Sequence, residues 1–340
     1  MTNEASLIAA AVLGMIAMSR PATMRAEQPS VSYVLRLDSA QLGVVDVTMR
    51  VDHGPAALRL AMKVHPEYDA KYWRYVDGWR VEGSADDARA GVVRLDSTLW
   101  RATLPGGRGL VHYRVHVQWS TDALRRSWQP FMRATGGLIN GPDFFVYLPD
   151  FARVPVTVRL ELPRGWRIAS ALDAGATPAT LTAPTTAGLL DSPILVGDLR
   201  EWTFTDRGTH YHIVYWPLPD AVLFDTTSLI DGIRRLASSA SAIFGSAPVR
   251  DYYFLLQDGA SDALEHRASL TMGLPSSRLA HDPHALLPEL AHEFFHTWNL
   301  VAIHPDSYGA LSYQRAIPTS GLWMGEGVTL YYADLLLRRA

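Results

Sequence analysis

The stretch "ELAHEFFHTWNL", residues 289–300, carries two histidines four positions apart with a glutamate beside the first. On a helix, His292 and His296 lie one turn above each other on the same face, so their imidazole nitrogens can converge on one Zn²⁺. Glu293 then points beside the metal. There it can take a proton from water and later deliver it to a leaving amine, the general acid/base role in metal-assisted hydrolysis. The local sequence supports a helix: Pro288 suits its first position, Glu289 complements its N-terminal dipole, and Phe295 and Trp298 supply apolar anchors. The plain alternative is a pair of surface histidines on an amphipathic helix, so a third ligand has to be found. Glu326, in "LWMGEGVTLYY", adjoins an apolar helical stretch at 327–338 and would complete a His₂Glu site with one position open. Asp306 and Asp334 are competing third ligands.

Upstream of this motif, residues 194–196, 210–216 and 251–257 read as strands. Between them Leu229, Ile230, Ile233, Leu236, Ala237, Ala240, Ile243 and Phe244 recur at three and four, a helix with its N-cap among Asp225, Thr226 and Thr227. Further back the period changes to two. Val45, Val47, Met49 and Val51 share one strand face, as do Val111, Tyr113, Val115, Val117 and Trp119, and Val154, Val156, Val158, Leu160 and Leu162. Several short strands with turns between them read as a β-sandwich. The aromatics Tyr72, Trp73, Tyr75 and Trp79 are read as core and cross-strand partners rather than a carbohydrate platform. The fold class is therefore α+β, with an N-terminal β-sandwich at 29–175 and a mixed catalytic domain at 176–340, joined near the Ala/Thr-rich tract 174–188.

Composition narrows the function. The 340 residues are 48% hydrophobic, enough to bury a core. Lys+Arg 31 against Asp+Glu 34 gives a formal charge of −3 with no basic stripe, so nucleic acid is not an expected partner. With no cysteine in the chain, thiolate zinc sites and cysteine nucleophiles are excluded, and a metal must sit on His, Asp or Glu. The apolar run at 7–18, "LIAAAVLGMIAM", is the length of a signal-peptide core and shorter than a membrane span. Residues 1–28 are thus expected to be a signal or disordered segment on a periplasmic or secreted protein. Because the flank "MTNEAS" has no Lys or Arg, a cytoplasmic location is the alternative.

The stretch "HEFFHTWNLVAIHP", the long spacer and "LWMGEGVTLYYADLLLRRA" together resemble the glycyl aminopeptidase family, family sixty-one of the metallopeptidases, of gluzincin type. "LEHRAS" at 264–269 is similar to that family's Gly-Gly-Leu-Glu-His segment, and "GGLINGPDFFVYL" with "VPVTVRLELPRGW" is similar to its N-terminal β-domain. The resemblance implies a thermolysin-like catalytic domain and one Zn²⁺ per chain on His292, His296 and Glu326. It also implies Glu293 as base, Glu265 holding the α-ammonium of a peptide substrate, and Trp298 and Asn299 in supporting roles. It departs at Asp262 and Ala263, which stand where the family has paired glycines. The family also continues past Glu326 with a helical region and an oxyanion-donating tyrosine. Since 14 residues follow Glu326 here, the expectation is an incomplete catalytic domain, with Tyr331 and Tyr332 packing rather than donating. The activity expected is zinc-dependent removal of N-terminal residues, of Gly or Ala type, by metal-activated water. The alternatives are a truncated, inactive zinc- or peptide-binding protein, or an endopeptidase in which Asp262 and Glu265 read no N-terminus. Val328, Leu330, Tyr331, Leu335 and Leu336 are expected to leave an apolar face uncovered, open to self-association.

Overall fold

Two β-layered assemblies stand in series in the computed structural model, which describes residues 29–63, 71–82, 91–117, 125–304 and 320–340. The expected signal segment and Asp306 lie outside those residues. In the first half, Ser30–Arg36 forms the middle of a seven-stranded sheet, parallel to Val156–Glu161 and antiparallel to Val44–Asp52. Gly109–His116 and Val76–Glu82 follow on one side, Thr180–Ala183 and Asp173–Ala174 on the other. Of the period-two faces foreseen in the sequence, Val45, Val47, Met49, Val51, Val111, Tyr113, Val115, Val156, Val158 and Leu160 are buried on its inner surface, where Val31, Tyr33 and Leu35 of the central strand join them, while Trp119 lies outside the described residues. Leu58 and Leu60 on Ala57–Ala61, with Trp100 and Ala102 on Leu99–Thr103, close the other side of the sandwich in one continuous core.

Buried hydroxyls anchor the segment that leads out of this core. Tyr33 Oη donates to the Val146 carbonyl at 2.6 Å, and Tyr113 Oη to that of Phe144 at 2.8 Å. Trp79 packs on the Trp100 and Tyr113 rings at 5.0 and 5.4 Å, and Tyr72 is buried, which places these aromatics in the core as expected. The tract read as a domain junction behaves differently. Thr180–Ala183 pairs with Val156–Glu161, and Ile194–Gly197 pairs with Gly136–Ile139, so the sheets of the first half take in residues beyond 175. Small alternating side chains, with only Leu181 and Ala183 turned inward, give that hairpin the composition of a linker.

The second half is a five-stranded sheet in the order Arg200–Asp206, Thr209–Trp216, Asp251–Gln257, Ser269–Gly273, Ala263–His266. The middle three run parallel, and the two edges are antiparallel to their neighbours. Thr226–Phe244 makes the expected long helix, capped by Asp225, whose carboxylate accepts from Ser228 N at 3.1 Å. Its buried stripe, Leu229, Ile233, Leu236, Ala237 and Ala240, shares a core with Tyr211, Tyr252 and Phe254 of the sheet and with Phe294 and Leu336 of two further helices. The two halves are tied directly: Gln257 Nε2 donates to the Ser127 carbonyl at 2.8 Å, and Trp216 Nε1 to that of Thr135 at 3.2 Å.

The last helix begins at Leu322 rather than at 327, and its inward face is covered more fully than expected. Leu336 is wholly buried and Val328 and Leu335 are half-buried, while Trp323, Leu330 and Tyr331 are exposed. Among the described residues, no helix is long and apolar enough to cross a membrane.

Candidate metal centre

The helix Leu287–Phe295 is held by aromatic packing on its inner side. Phe294 meets the rings of Tyr252 at 5.1 Å and Phe254 at 5.5 Å on the sheet, and Phe295 stacks on Tyr332 of the last helix at 4.8 Å. With that side fixed, His292 and the C-cap residue His296 face the last helix together. The His292 Nε2 and His296 Nε2 atoms are 3.2 Å apart, and Glu326 Oε2 lies 3.1 Å from the first and 3.7 Å from the second.

The protonation pattern of this trio is set from behind. His296 Nδ1 donates to the Asn299 carbonyl at 3.1 Å, which places the ring proton there and leaves Nε2 with a free lone pair. Burial also holds the His296 pKa below its ordinary value, so the neutral imidazole is favoured. A lone pair on His296, a second imidazole and a carboxylate thus converge on one point, the donor set that suits a divalent cation. The residues present fit a metal.

Asn299 also joins the two helices that supply the trio. Its Nδ2 faces the carbonyls of Met324 at 3.1 Å and Gly325 at 2.9 Å and Thr329 Oγ1 at 3.0 Å, clamping the turn that carries Glu326. Asn299→Ala is expected to weaken the binding of a divalent metal at the trio about 10- to 100-fold, as loss of a group that orients ligands typically does. Chelator competition measures it; an unchanged affinity would mean that the clamp does not position Glu326.

On the other side of the histidines, Glu265 of the edge strand Ala263–His266 comes up to Glu293. Their carboxylates and His296 offer ligand atoms within 4.8 Å of one another. Burial raises the pKa of Glu293, and the neighbouring Glu265, Glu326 and Glu289 carboxylates raise it further; Glu265 is likewise raised, first by burial. Glu326 moves the opposite way, held down first by its hydrogen bond with His292. A cation among these groups would draw the carboxylates back toward ionisation.

The structure therefore brings together five residues picked out in the sequence: His292, His296, Glu326, Glu293 and Glu265. Asp334 is exposed and takes no part in either group of candidate ligands. Tyr332 packs on Phe295 and Phe244, while Tyr331 points to solvent, and neither reaches the trio through a described contact. Thr329 carries no sequence signal. It is wholly buried, accepts from Asn299 and lies 3.4 Å from His296 Nδ1.

The fold and site now define a class. Residues 32–198 match the peptidase M61 N-terminal domain, and residues 286–340 match the M61 glycyl aminopeptidase model. Together the matches take in well over half of the chain, which belongs to the M61 glycyl aminopeptidase family of metallopeptidases. Among solved structures, an aminopeptidase N family protein from Idiomarina loihiensis superposes with a TM-score of 0.80 at 21% identity, over 90% of this chain and 54% of its own. That likeness is one of fold, and the present chain spans about half the length of that relative. An M1 zinc metallopeptidase from Deinococcus radiodurans is a more distant likeness, with a TM-score of 0.46 at 18% identity over 91% of this chain and 69% of its own. Comparison with curated proteins returned no match.

Proposed function

We propose that this protein is a zinc-dependent aminopeptidase that removes N-terminal residues of Gly or Ala type from peptides. The observation that carries the reading is the convergence of His292 Nε2, His296 Nε2 and Glu326 Oε2, with the Glu293 and Glu265 carboxylates beside them. His292, His296 and Glu326 would hold one zinc ion, which when bound would polarise the scissile carbonyl. The Glu293 carboxylate accepts a proton from the attacking water and returns it to the leaving amine. Glu265 pairs with the free α-ammonium, so only a bond one residue from the amino end falls within reach of Glu293. Family membership supports this assignment, and the identity of the metal and substrate belongs to the same proposal.

Glu265→Ala tests the substrate class. It is expected to raise KM and lower kcat/KM for peptides with a free N-terminus by about 10- to 100-fold, the worth of a charge-assisted hydrogen bond. N-acetylated peptides supply the control. A parent protein that cleaves acetylated and free peptides equally well would favour an endopeptidase.

Two smaller assignments belong to the same proposal. Export, carried by the apolar run at 7–18, is tested by N-terminal sequencing of the periplasmic or secreted protein; a chain recovered only from cytosol with Met1 intact would contradict it. Self-association through the exposed Trp323, Leu330 and Tyr331 is tested by light scattering, where a monomer at all concentrations would remove it.

A further inference from the structure

The strand that carries Glu265 is gripped near both ends by the first half of the chain. Before its start, the Asp262 carboxylate lies 2.8 Å from the guanidinium of Arg126, whose own segment pairs with Ala260–Ser261. Past its end, Asp191 Oδ2 accepts from the Arg267 N–H at 3.0 Å, and Asp191 Oδ1 lies 3.5 Å from His266 Nδ1. One carboxylate thus meets both residues that follow Glu265.

The Asp191 grip acts from behind. Side chains alternate along a strand, so with Glu265 turned to Glu293 and His296, His266 points to the opposite face. There it is buried, at 7% exposure, and its Nε2 has no hydrogen-bond partner among the described residues. Nδ1 is the ring atom left to fix the imidazole, and Asp191 faces it.

Asp191 is itself a fixed point. It ends the short helix Thr186–Leu190, where its N–H donates to the Ala187 carbonyl at 3.0 Å, and Leu189 and Leu190 before it are buried in the sandwich core. Gly141, within the "GGLINGPDFFVYL" stretch, packs so closely on that helix end that a Cβ there would meet Leu190 O at 2.6 Å. The grip on Arg267 is therefore referred to the core of the first half.

The Asp191 side chain is 45% exposed, so its charge contributes little stability. Its worth is geometric. A displacement of about 1 Å in a group that positions substrate can cost about 10²-fold. We propose that Asp191 is a positioning residue for recognition of the substrate amino terminus: it fixes the turn after Glu265 and so sets the place of that carboxylate relative to Glu293. The inference rests on the reading of Glu265 as the ammonium anchor.

The test measures peptide binding to the zinc-loaded full chain carrying Glu293→Gln, which prevents turnover. The probes are trialanine and N-acetylated trialanine, and the quantity read is the ratio of their dissociation constants. Asp191→Ala is expected to cut the preference for the free amine about ten-fold, while affinity for the acetylated peptide, zinc content and thermal midpoint stay at the parental values. Asp191→Asn, whose amide oxygen still accepts from the Arg267 N–H, should keep most of the preference. Adding Asp191→Ala to Glu265→Ala should change nothing further, because the two act through one contact. A preference that survives Asp191→Ala, or a fall in both affinities together with the midpoint, would overturn the positioning role. If trialanine binds the Glu293→Gln chain no better than its acetylated form, or Glu265→Ala leaves the preference intact, the anchor itself is overturned, and the role of Asp191 with it.

Discussion

Glu293→Gln is expected to lower kcat/KM for alanyl and glycyl peptides by about 10³-fold or more, roughly 4 kcal/mol of lost transition-state stabilisation. The amide keeps the shape of the carboxylate but cannot accept the proton of the attacking water. Zinc content and thermal midpoint should stay at the parental values, since Glu293 is outside the His292, His296 and Glu326 trio. The substitution even removes a carboxylate that its Glu265, Glu326 and Glu289 neighbours crowd. Retention of parental turnover would show that Glu293 is not the base. A loss of zinc along with activity would put it among the ligands instead.

His296→Ala has the second large effect expected. It removes a buried imidazole whose Nε2 faces both other donors, and it leaves the Asn299 carbonyl without its Nδ1–H partner. Zinc retained after gel filtration should fall from about one ion per chain to near none, because two donors do not hold a site of this type. The same change should abolish stabilisation by added zinc. For the parent, a metal present at about a thousand times its dissociation constant contributes about 4 kcal/mol to the folded state. Equal zinc content, or an equal rise in thermal midpoint on adding zinc, would remove His296 from the ligand set.

Much of this site is legible in the sequence because its chemistry is local. His292 and His296 are one helical turn apart, and Glu293 is fixed between them by covalent spacing. Glu326 stands out by its place near a second apolar helix, and the period-two runs locate the inner face of the sandwich. Contacts between segments far apart in the chain leave no such trace. Thr329 looks like any helix surface residue until Asn299 reaches it across two helices. Arg126 is one arginine among many until its strand is laid beside Ala260–Ser261. The hairpin at Thr180–Ala183 reads as a junction because alanine and threonine give almost no hydrophobic contrast between its two faces.

A cation could occupy two places that share His296: the trio with His292 and Glu326, and the neighbouring group of Glu265, Glu293 and His296. The first has two imidazoles, and the second is rich in carboxylates whose pKa values are raised by burial and mutual proximity. Anomalous diffraction at the zinc edge, from crystals of the zinc-loaded protein, decides between them. A single peak is expected within coordination distance of His292 Nε2, His296 Nε2 and a Glu326 oxygen, about 2.0–2.2 Å from each, with Glu293 and Glu265 outside that shell. A peak bound by Glu265 and Glu293 with His292 left free, or no peak at either place, would contradict the zinc site on which the proposed chemistry depends.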